Sequence, residues 1–331
     1  MRAVRYGEGV VMMLIALAAF CGHGQAAPVQ DQRTVEIGVF ISNIYEINFT
    51  AGTYKASFWL WFKSNDEKYE PEKYIEIVGG RDIKIDAIAT DRLSDGRFYR
   101  SAKYTATINQ TWDVRWFPFD TQNLNLIIES SSDDASKFRF VPDAKSSRFD
   151  KNIALPGWTL RGMTVSESTS VYQSDFGYGD DGESAYSRFT ATVTLDHAGR
   201  RLFSTAFLGF FVSDILTGVT LMVESFEVTR LAIPLLGRLN MVVGALFGAV
   251  GNKYIEDNSL PPMPTFSLPD LVQISAFSAI AVALCTVIGT ETLVRLGYQS
   301  ATVTAFARTS LGLYIVSQLG LGAYILESGR K

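Results

Sequence analysis

Two clusters of side chains in this chain have the types and spacing to do chemistry, and in both the chemistry is recognition of charge. The first is Trp116-Phe117-Pro118-Phe119-Asp120-Thr121-Gln122, an aromatic turn stiffened by proline and closed by a carboxylate. A carboxylate in such apolar company needs a cationic, bidentate donor. Arg200 and Arg201, at the edge of the first long apolar segment, are the expected donors for Asp120. A bland Pro-stiffened surface turn is the other reading of the same run. The second cluster is aromatic: Tyr172, Phe176, Tyr178 and Tyr186 surround a glycine-bearing tip with Asp175, Asp180, Asp181 and Glu183. Ring faces and carboxylates both attract an organic cation, although a solvated acidic loop with tyrosines packed on a sheet would look the same. Bond-making chemistry has less to work with. Of the two histidines, His23 lies in a leader-like segment and His197 stands alone, so no His-dependent triad or His-rich metal cluster can be assembled. Neither an enzyme nor a cofactor or metal is expected.

The elements that must position these clusters fall into two halves. Arg2 and Arg5, the apolar run Val10 to Phe20 and the small residues Gly24 to Ala27 have the layout of a secretory signal peptide, assigned to 1–27. Cys21 is not read as a lipidation site, because Phe20 before it is bulky. With Cys285 the other cysteine, no disulfide framework is available within the mature chain. A net charge of −4 without a basic patch argues against nucleic acid as a partner. From about Val35 to Leu195 short runs alternate with period 2, among them Val35/Ile37/Val39/Ile41, Phe58/Leu60/Phe62, Ile83/Ile85/Ala87, Tyr104/Ala106/Ile108, Leu124/Leu126/Ile128 and Phe189/Ala191/Val193/Leu195. Many short half-buried strands with turns between them predict an all-β, immunoglobulin-like sandwich of about ten strands over 28–200. Trp59 and Trp61 fall on the opposite face of their strand, so either a neighbouring loop or subunit covers them or they form a ligand wall.

Over 201–331 four apolar segments follow, roughly 202–223, 238–255, 268–294 and 303–326. All but the second clearly have the length for a bilayer crossing. An all-α, four-helix membrane domain is expected, with both the sandwich and the C-terminus outside. Arg230, Arg238, Arg295 and Arg308 in or near the inner connections fit that orientation weakly.

The Phe117-Pro118-Phe119-Asp120 turn resembles the signature turn of the pentameric ligand-gated ion channels, with Gln110 and Leu124 where animal members carry cysteines, as in prokaryotic versions. The ending Asn258-Ser259-Leu260-Pro261 is similar to the close of that family's pore helix, and counting back puts Arg238 at the helix's inner mouth. The resemblance implies a homopentamer in a bacterial inner membrane, passing inorganic ions, opened by a small-molecule or ionic agonist such as an organic cation bound between subunits. The ligand wall would be Tyr172, Phe176, Tyr178 and Tyr186 of one subunit against Trp59 and Trp61 of the next. Coupling would run through Phe117, Pro118, Phe119 and Asp120 to Arg200, Arg201 and the linker at Pro261. A non-conducting membrane-anchored ligand sensor with this fold is the alternative.

Helical spacing in that register places Asn240, Gly244, Phe247, Gly251, Tyr254 and Asn258 on one stripe, assigned to the pore lumen. Phe247 is the expected apolar constriction, with packing against a neighbouring helix as the competing role. Gly244 and Gly248 also form a small-xxx-small pair suited to close helix packing. Two departures stand out: the first membrane segment lacks the family's proline, and Leu236 and Gly237 replace the usual glutamate before Arg238. Glu256 and Asp257 could form an acidic outer vestibule. Within the membrane, Asp214 is expected to pair with Arg308, with Glu291 as the competing partner.

Overall fold

The structure is a computed structural model that describes residues 32–177, 182–197, 199–257, 260 and 265–328, without the side chains of 199–202, 205, 255–257 and 328. Tyr178, Asn258 and Pro261 thus lie outside the described residues, as do Asp180 and Asp181 and the side chains of Arg200, Arg201, Glu256 and Asp257.

Among the described residues the first half is a sandwich of ten strands: β1 Arg33–Asn48, β2 Thr53–Ser64, β3 Ile75–Ile77, β4 Gly80–Arg92, β5 Phe98–Asn109, β6 Thr121–Ser130, β7 Phe138–Pro142, β8 Arg148–Phe149, β9 Trp158–Tyr172 and β10 Ser184–His197. One sheet runs β4-β5-β2-β1-β7 with β8 also on β1, and the other β3-β6-β10-β9. The period-2 runs explain the pairing of layers. Val35, Ile37 and Val39 with Phe58, Leu60 and Phe62 face Leu124, Leu126, Ile128, Phe189, Ala191 and Val193 across one continuous core. At roughly 25 cal/mol per Å² of apolar surface, this burial is the main term holding the layers together.

One run behaves otherwise. Ile83, Ile85 and Ala87 lie in β4 as predicted, but β4 is the edge strand and is exposed throughout this single chain, with Ile83 and Ile85 over 40% exposed. Register shifts at Arg81/Lys84 and Ile85/Ile88 break its alternation.

Four long helices follow: α1 Gly199–Ser225, α2 Leu235–Asp257, α3 Leu268–Arg295 and α4 Ser300–Ser328. All four, including the second, are long and apolar enough to cross a membrane; the 23 residues of α2 rise about 35 Å at ~1.5 Å each. The buried hydroxyls along α1 are satisfied within it: those of Ser213, Thr217, Thr220 and Ser225 each donate to the carbonyl four residues back, as a medium without water requires. The helices α1 and α2 approach closely at glycines. A Cβ on Gly248 would stand 2.6 Å from Ser213 Oγ, and one on Gly209 2.9 Å from the Gly248 carbonyl oxygen. Asn252 fastens the same seam, accepting from the Gly209 N–H and donating to the Ala206 carbonyl.

Candidate functional site

The junction between the halves is built around Asp120. The strand it precedes, β6, pairs antiparallel with β10 in a register that sets Asp196 opposite Thr121, so His197 ends β10 beside Asp120. The His197 Nδ1 lies 2.6 Å from Asp120 Oδ1, and Gln122 Nε2 donates to the other carboxylate oxygen. Gln122 is itself held by the backbone of Asp113. Both members of the Asp–His pair are nearly enclosed, with side chains 3% and 4% exposed. The imidazole stacks on Trp158 at 3.6 Å between centroids and takes the edge of Phe117 at 5.4 Å. The described partners of Asp120 are therefore His197 and Gln122; the Arg200 and Arg201 side chains are not described.

The turn itself divides its rings. Phe117 is buried in the sandwich core, Pro118 follows through a cis peptide bond, and Phe119 is left 57% exposed. Phe119 reaches the membrane domain and meets Phe203 of α1 at 5.5 Å. Just before the turn, the Arg115 carbonyl accepts a hydrogen bond from the N–H of Leu268, the first residue of α3. Ser267 and Asp270 cap that helix reciprocally, which fixes its start. The turn thus grips α1 and α3 at once.

On α2 the expected stripe is continuous. Asn240, Gly244, Phe247, Gly251 and Tyr254 are all exposed on this chain, Phe247 by 73%. The opposite stripe, Arg238, Val242, Ala245, Ala249 and Asn252, is buried against the other helices. Gly251 has no neighbour within 4 Å of a Cβ position, while Gly248 packs against α1, so the glycines divide between an open face and a tight seam. Within this chain Phe247 is not packed into the helix bundle.

Near the start of α2, Arg238 is buried and does not face the open stripe. Its guanidinium donates to both oxygens of Glu224 at 2.7 and 3.0 Å and to Glu291 at 2.9 Å. Glu224, fully buried, also accepts from Thr290, and Glu291 bridges on to Arg295. The expected Asp214–Arg308 pair does not form. Arg308 lies level with the end of α1, donating to the Ser225 carbonyl at 3.3 Å and resting over the Phe226 ring. Arg308 meets the last residue of α1, 11 residues beyond Asp214, so the two side chains stand about three helical turns apart. Glu291 is engaged by Arg238 and Arg295 instead.

The β9–β10 hairpin brings three of its four predicted rings together. Tyr172, Phe176 and Tyr186 stand edge to face in a triangle with centroids 5.7 to 6.2 Å apart. Phe176 adopts φ 56°, the left-handed region unusual for a side chain. Behind the rings Glu129 is buried, accepting from the Tyr172 hydroxyl at 2.8 Å and paired with Arg188 at 2.7 Å. Burial first, and the Glu129 carboxylate second, hold the Tyr172 hydroxyl above its ordinary range. The cage floor is therefore a neutralised ion pair, and Glu183 of the same tip is exposed.

Trp59 and Trp61 lie on the other sheet and do not join this cage within one chain. Trp61 is covered by its own subunit: its ring lies over Gly38, where a Cβ would come within 2.3 Å, and its N–H donates to Asp143. Trp59, half-buried between Phe40 and Lys103 of the flanking strands, remains available to a neighbour.

Sequence reasoning missed His197 as the partner of Asp120 and Glu224 as the partner of Arg238. Both were visible as charged or titratable residues near the right boundary, but only strand register and helix packing join them.

No protein-family model matches the chain. It is 22% identical over 160 residues to a proton-gated ion channel of Gloeobacter violaceus (strain ATCC 29082 / PCC 7421), a match covering 42% of this chain and 44% of that protein. The chain thus joins a β-sandwich to four membrane-length helices, the build of a multi-pass membrane protein, and is similar over part of its length to an ion channel.

Proposed function

We propose that the chain is one subunit of a homopentameric, ligand-gated ion channel of the cysteine-free bacterial type, with its sandwich outside the inner membrane and its pore lined by α2. The observation that carries the reading is the split of α2 into two faces. One is sealed against α1 and α3, and the other leaves Asn240, Gly244, Phe247, Gly251 and Tyr254 exposed on the single chain. A helix of membrane length with polar and glycine positions on its open face needs a water path or other copies of itself to cover it. A ring of five α2 helices supplies both. Each subunit then adds one Phe247 ring to a narrow apolar girdle that closes by dewetting.

Gating follows from the contacts at the junction. An agonist drawn into the cage of Tyr172, Phe176 and Tyr186, with Trp59 of the next subunit as its far wall, displaces the β9–β10 hairpin. Strand β10 ends at His197, held to Asp120, and the turn carrying Asp120 holds Phe203 of α1 and the start of α3. Displacement of the hairpin thus reaches the helices that pack behind α2. The rings and acidic rim favour an organic cation; protons are the second agonist class, since the similar channel is proton-gated.

Currents from purified protein in a planar bilayer under asymmetric salt, across amines, protons and divalent ions, test the reading. Agonist-dependent current that falls when Tyr186→Ala and Trp59→Ala are combined is the expected result. A pentamer that binds ligand but never conducts would establish the non-conducting sensor instead.

A further inference from the structure

Where α1 ends and α2 begins, the structure gathers charge out of water. Glu224, the last residue but one of α1, is fully buried against two buried arginines. The Arg238 guanidinium donates to both of its carboxylate oxygens at 2.7 and 3.0 Å, and the Arg230 guanidinium to its backbone carbonyl at 3.3 Å. Thr290 of α3 donates to the same carboxylate at 2.6 Å, and Glu291 holds the other side of Arg238 at 2.9 Å. The Arg238 Nε has no hydrogen-bond partner among the described residues, so these two carboxylates are what holds the guanidinium. Arg230 and Arg238 thus stand in balance with Glu224 and Glu291, while Arg295, which also meets Glu291, is 70% exposed and screened by water. Replacing such a cluster by well-packed apolar residues is commonly neutral or stabilising, so its presence calls for a reason other than stability.

Its position supplies one. Arg238 is the fourth residue of α2, and the open stripe of that helix, Asn240, Gly244, Phe247, Gly251 and Tyr254, carries no charge, nor do Leu236 and Gly237 before Arg238. We propose that Glu224, with Glu291, determines which charge the pore passes: by cancelling Arg238 the two carboxylates leave the entrance at the start of α2 open to inorganic cations. The inference rests on the channel reading. In a ring of five subunits, an uncancelled Arg238 would set five positive charges round that entrance. Charge in a low-dielectric wall acts on ions in the lumen without pointing into it, and a ring of cationic side chains selects anions. Lys253, the other cation of α2, is turned toward α3, where it donates to Gln273. The far end of α2 closes in sequence on Glu256 and Asp257, acids that concentrate cations. With Arg238 cancelled, nothing on the open stripe opposes them.

The test is the reversal potential of current through the full chain in planar bilayers under a sodium chloride gradient, with phenethylamine or acidification to open the pore and size exclusion to establish that each variant is assembled. The parent should reverse on the cation side. Glu224→Gln leaves one uncancelled positive charge per subunit and should lower the sodium-to-chloride permeability ratio about tenfold or more. Glu291→Gln, at the more exposed of the two carboxylates, should lower it in the same direction by less, and it decides the matter if Glu224→Gln does not assemble. Combining Glu224→Gln with Arg238→Gln restores the balance and should return the ratio to the parent's, a rescue that a merely structural role for Glu224 does not provide. A parent that reverses on the anion side, a ratio unmoved in the single variants, or a double variant as shifted as Glu224→Gln would overturn the inference and leave the channel reading standing. Absence of current from every one of these proteins would count against the channel reading, and the inference would fall with it.

Discussion

At the scale of single residues, the account turns on carboxylates and what each one meets. Asp120 and His197 touch at 2.6 Å in an enclosed setting, where hydrogen bonds to charged groups contribute about 1.5–3 kcal/mol. A double-mutant cycle of Asp120→Asn and His197→Gln, read from agonist concentration–response curves, should give a coupling of that size, with both single variants needing more agonist. Zero coupling would remove the pair from the gating path. That Asp120 needs a partner was legible in the sequence, because a lone carboxylate among aromatic rings is conspicuous. Which partner was not, because the answer depends on how β6 and β10 align. The cluster Glu36–Lys63–Asp143 makes a second prediction. Burial pushes both carboxyls up, but hydrogen bonds from Lys63, with Arg97 for Glu36 and Ser146 and Trp61 for Asp143, outweigh it and hold both below the ordinary carboxylate range. Depressed values in the folded state mean stability present above the unfolded values near pH ~4 and lost as pH falls through the folded ones. Thermal melting of the whole protein should show a drop in midpoint below about pH 4 that is shallower in Lys63→Met; an unchanged slope would assign the acid sensitivity elsewhere.

At the scale of elements, α2 shows what periodicity can and cannot tell. Its two faces were readable, because a 3.6-residue repeat fixes which positions share a stripe. Asn240, Gly244, Phe247, Gly251 and Tyr254 emerge together on the open side. The destination of Arg238 was not readable, since it depends on Glu224 from the end of α1, 14 residues earlier, and Glu291 from α3. The Ile83/Ile85/Ala87 alternation likewise predicted a strand but not that it would be an edge outside the single-chain core. The faces of α2 give opposite expectations for substitution. Phe247→Ser should wet the girdle and raise spontaneous current or agonist sensitivity without loss of pentamer. Ala249→Leu, at a fully buried position on the seam, should overpack it by about 1–3 kcal/mol and lower the yield of assembled protein on size exclusion. A Phe247→Ser protein that dissociates, or that assembles with parent-like gating, would show that Phe247 is not the gate.

At the scale of the whole molecule, the division into a sandwich and four membrane helices was the most legible property, because it needs only the switch from period-2 alternation to long apolar runs. The functional unit was the least legible. The cage lacks a far wall, Trp59 is half-covered and α2 has an open face, all features that one chain leaves incomplete and that five copies would close. The central claim is that the open face of α2 lines a water-filled ion path. Single cysteines at Gly244, Phe247 or Gly251, and for comparison at Val242, Ala245 or Ala249, would be placed in a Cys285→Ser background and treated with a charged thiosulfonate reagent during current recording. The account predicts that modification changes the current only at the first three positions, and only once the channel has been opened at those on the inner side of Phe247. Absence of current altogether, or modification of the buried stripe in place of the open one, would contradict it.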